Sequence, residues 1–195
     1  MSRFNKILSK IPVIKHKIGP ETDNRSLQFI AVIDCILNQN VRDRGAAVYP
    51  AINRKVLELC QKYNVGIMQM PCPEIAFLGF NRNRPENMSI RDALDTPEGR
   101  DRCRQLSIDV VDRITELTRQ DTRFLAVLGG NPESPGCAVH LGNGEQKQSS
   151  GVFIKELVSE LDKRSLSIPV LPIRDFDKKV MMQDLQWLEQ LFSNS

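Results

Sequence analysis

The chain has 195 residues, 41% of them hydrophobic, which is enough for one well-buried core, and no break in composition marks a second domain. Its 27 Lys and Arg against 24 Asp and Glu leave a formal net charge of +3, too mild for a dedicated nucleic-acid binder. No apolar run approaches the roughly 20 residues of a membrane-spanning helix.

The N-terminus carries Arg3, Lys6, Lys10, Lys15 and Lys17 with no acid before Ile18, and Pro12 and short apolar stretches make a poor secretory signal. Residues 1–26 therefore read as a basic, solvated extension ahead of a domain over 27–195, and a cytoplasmic location is expected. The continuous apolar run FIAVIDC, Phe29 to Cys35, predicts a buried strand that ends in the polar loop NQNVRDRG. From Pro50 to Tyr63, Ile52, Val56, Leu57, Cys60 and Tyr63 recur at helical spacing. VGIMQM then predicts a second strand, running into PCPE. Between Glu98 and Arg119 a stripe through Cys103, Leu106, Val110, Ile114 and Leu117 predicts the longest helix. FLAVL, Phe124 to Leu128, is a third strand, followed by a Gly-rich loop that includes the polar QKQSSG. A helix from about Gly151 to Asp162, a fourth strand in IPVLPI, and a last helix through Trp187 and Leu191 complete the chain. Trp187 is expected to pack that helix on the sheet. Strands alternating with helices predict an α/β fold of flavodoxin-like or Rossmann-like layout, an open parallel sheet with helices on both faces.

In such sheets, sites form outside the carboxyl ends of the strands. Three of the five cysteines fall there: Cys35 closes the first strand, Cys72 follows the second, and Cys137 lies in the loop after the third. Cys60 and Cys103 lie instead on apolar helix stripes, where a free thiol packs as a small hydrophobe. An odd number of cysteines without an export signal is a poor disulfide framework. Three thiols with no evident fourth ligand fit either of two metal sites. Zinc favours four ligands, often from CxxC pairs, and the chain has no such pair. An iron–sulfur cluster held by three cysteines would leave one iron open as a Lewis acid.

The segments DCILNQNVRDRG, PCPEIAFLGFNRNRP and ESPGCAVHLG, followed by SSGVFIKEL, occur in this order between Phe29 and Leu171. Together they resemble the thiouracil desulfidase (TudS) family, most closely a TudS-related branch. The resemblance implies a [4Fe–4S] cluster held by Cys35, Cys72 and Cys137, with one open iron that takes the sulfur of a thiolated pyrimidine base or nucleotide. Water replaces that sulfur and hydrosulfide is released. It also implies that Glu74 is the catalytic base, and that Ser134 sits beside the substrate. The chain departs from the family pattern at Asn38, where a glycine is usual, and in Arg42-Asp43-Arg44-Gly45, where the family has an Arg-Tyr-Asp-Gly run. Gly79 stands alone where the family has a double glycine, and Arg82 and Arg84 flank Asn83 where it has a Pro-Arg pair. These differences leave the cluster ligands intact and bear on the substrate.

Arg42, Arg44, Arg82 and Arg84, in the loops beside the cysteines, are either a solvated surface or a site for a substrate phosphate. The LGGN turn, with Gly130 at its centre, either offers backbone N–H groups to the substrate or simply allows a tight strand exit. His140 reads as an outer hydrogen-bonding partner rather than a ligand, and Asp34 as a loop anchor. The expected partner is a small molecule, with no membrane and no nucleic acid. Two other readings stand beside the desulfidase. One is a cluster-free enzyme of nucleoside deoxyribosyltransferase type with Glu74 as nucleophile. The other is a non-catalytic iron–sulfur sensor.

Overall fold

The computed structural model of the protein describes residues 23–141 and 149–195. The basic extension expected over 1–26 lies, apart from 23–26, outside the described residues, as do residues 142–148 of the loop after the third strand, which take in the first half of QKQSSG. Four strands, β1 (Gln28–Ile33), β2 (Gly66–Met70), β3 (Arg123–Gly129) and β4 (Val170–Pro172), form one parallel sheet in the order β2-β1-β3-β4. The apolar runs sort themselves by position. β1 is buried from Phe29 to Ile33 and β3 from Phe124 to Gly129, as strands covered on both faces must be. They lie side by side in the middle, with the Phe29 and Phe124 rings stacked at 5.0 Å. β2 alternates exposed and buried residues along Gln69 and Met70 at one edge. β4, bracketed by Pro169 and ending in Pro172, is short and forms the other edge, where proline does least damage to the ladder.

Among the described residues, seven α-helices connect and cover the sheet: α1 (Asp34–Leu37), α2 (Arg54–Lys62), α3 (Pro73–Leu78), α4 (Ile90–Leu94), α5 (Pro97–Thr118), α6 (Val152–Lys163) and α7 (Lys178–Ser193). The chain steps one way from β1 to β2 and the other way from β2 to β3 and β4, so right-handed crossovers put α2 on one face and α5 and α6 on the other. The contacts agree. Tyr63 at the end of α2 meets Phe192 of α7 with ring centroids 6.0 Å apart, and Lys62 pairs with Glu189. On the other face Arg104 of α5 pairs with Glu156 of α6. Caps set the helix starts: Thr96 accepts from the Gly99 N–H ahead of α5 with Pro97 in its first turn, and Asp177 accepts from Lys179 and Val180 ahead of α7.

Val56, Cys60, Cys103, Leu106, Val110 and Ile114 of the predicted stripes are buried and Leu57, Tyr63 and Leu117 half-buried, while α2 starts at Arg54 rather than Pro50 and leaves Ile52 in the loop before it; burial pushes the Cys60 and Cys103 thiols up to about 12. Trp187 departs from expectation. It is 39% exposed, while Met181, Leu185, Leu188 and Phe192 form the buried stripe of α7. The strand order reverses between β1 and β3, and the loops leaving their carboxyl ends flank the crevice that such a switch point opens.

Candidate functional site

Three consecutive strand exits converge at this crevice. Cys35 lies in the short α1 that follows β1. Cys72 is the residue before α3, whose first turn begins with Pro73 and carries Glu74. Pro73 needs no N–H at that position, so the turn can start directly behind the thiol. Cys137 sits in a loop that folds back on the end of β3, with the Gly130 N–H donating to the Cys137 carbonyl at 2.7 Å and Ser134 held by its N–H to the Asn131 carbonyl.

Close glycine packing fixes these loops against one another. A Cβ on Gly136 would stand 2.5 Å from Pro73 Cγ, and one on Gly151 2.3 Å from the Gly136 carbonyl. Only glycine lets the Cys137 loop lie between the Cys72 segment and the start of α6. The first N–H groups of α6, from Val152 and Phe153, are then satisfied by the carbonyls of Pro135 and Gly136.

The electrostatics report the convergence. Burial pushes Cys35 up to about 11, with Arg42 opposing and Asp175 and Cys72 adding to the rise. Cys72 is raised first by burial, with the Ile75 N–H opposing and the Glu74 charge adding. Cys137 is raised well above the ordinary thiol range, first by burial, then by Cys35, Glu74 and Cys72, against a hydrogen bond from Ser134. Cys35 thus feels Cys72, and Cys137 feels both. Packed together, they resist ionisation until a cation joins them. A Cβ on Gly130 would lie 2.8 Å from Cys137 Sγ and 3.1 Å from Ser134 Oγ, so the missing side chain keeps space open between thiol and hydroxyl.

Glu74 Oε2 accepts from Arg82 Nε at 3.2 Å, and its Oε1 has no hydrogen bond among the described residues. Arg82 is 4% exposed and at positive φ, and it also donates to the carbonyls of Phe80 and Val41, sewing the loop after α3 to the loop after α1. Arg84 donates to the backbone of Arg82 and Met88. Arg42 is buried between Cys35 Sγ, 3.8 Å from Nη2, and Asp175, whose two oxygens lie 2.9 and 2.7 Å from the same nitrogen. Arg44 is exposed. The structure therefore brings Cys35, Cys72, Cys137, Glu74, Ser134, Gly130, Arg42 and Arg82 to one crevice, with Arg44 and Arg84 at greater remove. His140 contacts the Pro132 carbonyl through its ring, and Asp34 accepts from Gln69.

Asp175 was not among the residues singled out from the sequence. It is fully buried, and Asn131 donates to it at 2.8 Å while also accepting from the Phe176 N–H. The signal was present: Arg174 and Asp175 directly follow IPVLPI, so the rule that picked out the cysteines, chemistry at strand carboxyl ends, applied equally to β4.

Among the described residues, no group of three or more His, Cys, Asp or Glu side chains is arranged around a single metal ion. A cluster makes a different demand, because its irons are separate atoms and each thiolate binds its own. Three soft donors on three separate loops, with a carboxylate and a hydroxyl alongside, are of the chemical type that demand requires. A groove of about 560 Å³ runs between β4 and α6, lined by Ile154, Val158, Ile168 and Val170.

Comparison with known proteins adds one distant relative. The chain is 26% identical over 149 residues to the uncharacterized protein MJ0003 of Methanocaldococcus jannaschii, an alignment covering 74% of this chain and 87% of the relative. No family model matches, and no solved structure does. No helix among the described residues is long and apolar enough to cross a membrane.

Proposed function

We propose that the protein is an iron–sulfur-dependent desulfidase of TudS type, which exchanges the sulfur of a thiolated pyrimidine base or nucleotide for oxygen. The observation that carries this reading is the meeting of Cys35, Cys72 and Cys137 with Glu74 and Ser134 at one switch-point crevice. Cys35, Cys72 and Cys137 would hold a [4Fe–4S] cluster. When bound, it supplies a soft Lewis-acidic iron suited to a thiocarbonyl sulfur.

The net change is thiocarbonyl plus water to carbonyl plus hydrosulfide, with no electrons gained or lost. The chain's own residues handle the protons. Arg82 fixes Oε2 of Glu74 and leaves Oε1 to take a proton from the attacking water and return it to the ring nitrogen or the departing sulfur. Ser134, on a loop stiffened by Pro135 and anchored to Asn131, orients water or substrate beside Cys137.

The test is iron and acid-labile sulfide per chain after anaerobic reconstitution. Wild type should hold about four of each, and Cys35→Ala, Cys72→Ala and Cys137→Ala should each lose them. Cys60→Ala, a core thiol, should keep them. Loaded wild type should then release hydrosulfide from 4-thiouracil or 4-thiouridine monophosphate. A wild type that takes up no iron removes the desulfidase and directs attention to metal-free nucleoside chemistry at Glu74.

A further inference from the structure

Arg42 is placed as no phosphate-binding arginine would be. Its side chain is 7% exposed, and one nitrogen, Nη2, is shared between the Asp175 carboxylate and the Cys35 sulfur. Nη1 donates to the Ala46 carbonyl, and the Phe176 ring covers the guanidinium at 5.3 Å. Asp175 is held in turn by Asn131, whose carbonyl also fixes the Phe176 backbone. Both terminal nitrogens of this guanidinium thus donate within the protein, and one of those bonds ends on a thiol of the proposed site. The planar fork lets Nη1 hold the Ala46 carbonyl while Nη2 serves carboxylate and sulfur, whereas a lysine ammonium would have to meet all of them from a single point.

Resting on the desulfidase reading above, we propose that Arg42 and Asp175 are positioning residues that set the electron density at the Cys35 sulfur. Arg42 donates an N–H to the sulfur, and Asp175 aims the guanidinium while adding a fixed negative charge behind it. Hydrogen bonds and charge beside cluster sulfurs govern how readily a cluster accepts an electron. An N–H on the sulfur favours the more negative, reduced state, so its loss makes reduction harder. A buried carboxylate nearby disfavours that state, so its neutralisation makes reduction easier. The two members of one ion pair therefore act on the site with opposite sign. A purely structural pair would not, because breaking it from either side loosens the same loops.

The experiment reads the one-electron reduction potential of the reconstituted cluster, by dithionite titration followed by electron paramagnetic resonance, for wild type, Arg42→Gln, Arg42→Lys and Asp175→Asn. Arg42→Gln should shift the potential down and Asp175→Asn should shift it up; Arg42→Lys, which keeps the charge but loses the fork, should fall between Arg42→Gln and wild type. If Arg42→Gln does not fold, Arg42→Lys and Asp175→Asn still carry the sign test. Loaded variants whose potentials are unmoved, or move the same way, overturn this assignment and leave the cluster reading intact. A wild type without iron removes both together.

Discussion

At Glu74 the chain brings a carboxylate beside the thiols and ties down one of its oxygens. The same guanidinium that holds it is 3% exposed in its side chain and spans two loops through backbone carbonyls, so Arg82 fixes the carboxylate and the crevice wall in one stroke. Glu74→Gln separates these duties. The amide oxygen can still accept from Arg82 Nε, so the loop keeps its anchor, but the side chain can no longer carry a proton at working pH. Iron per chain should be unchanged while hydrosulfide release falls by roughly 10²–10⁴-fold, the usual worth of a positioned acid–base group. Single-turnover hydrosulfide release beside an iron assay checks it, and full turnover in a loaded Glu74→Gln protein would remove the carboxylate from the chemistry. How much was legible differs by residue. The cysteines and Glu74 sit in short segments at strand ends, so position alone marked them. Arg42 and Arg82 were visible as loop cations, but their partners, Asp175 and the Val41 carbonyl, are remote in sequence, and no local pattern shows that both are buried.

Among the elements, the clearest control over the site lies in glycines that bear no chemistry. The start of α6 rests on the Cys137 loop so closely that a Gly151 Cβ would fall 2.3 Å from Gly136 backbone atoms and 2.5 Å from the Cys137 nitrogen. Backbone cannot swing aside as a flexible side chain can, so the loop itself must move. Gly151→Ala should lower stability by about 1–3 kcal/mol and, because Cys137 moves with the loop, lower iron per chain as well. Gly66→Ala offers the contrast: its Cβ would approach the Gln28 carbonyl at 3.2 Å, at the amino end of the sheet, and iron loading should be untouched. Thermal melts and iron assays on both variants check this, and equal iron loss in the two would mean that the α6 contact does not hold the loop. The element pattern itself was readable because strands β1 and β3 are continuous apolar runs and the long helices keep one stripe. The short helices α1 and α3 were not, since each is barely more than a turn and is fixed by its neighbours; α4 did carry a local signal that went unread, the Ser89–Asp92 capping box at its start.

For the molecule as a whole, the doubly wound order divides the labour between its ends and faces. The carboxyl ends of β2, β1 and β3 carry the thiols, while α2 and α7 close one face and α5 and α6 the other. Sequence alternation implied a parallel sheet, but the strand order and the partner of the last helix depend on crossovers that no local stretch encodes. The expectation for Trp187 failed for that reason: α7 turns its Met181, Leu185, Leu188 and Phe192 stripe inward, and the largest apolar side chain falls partly outside it. Burial, not size, then sets the cost of truncation. Leu188 is 0% exposed and belongs to the core, so Leu188→Ala should cost about 2–5 kcal/mol in denaturant unfolding. Trp187→Ala, at a site 39% exposed, should cost less than Leu188→Ala despite removing more atoms. Both variants, once folded, should take up iron like wild type, because they alter the carboxyl half of α7, which meets Tyr63 and Lys62 at the end of α2 through Phe192 and Glu189. A larger loss at Trp187 than at Leu188 would mean that the helix is rotated on the sheet, and the face assigned to it would have to be redrawn.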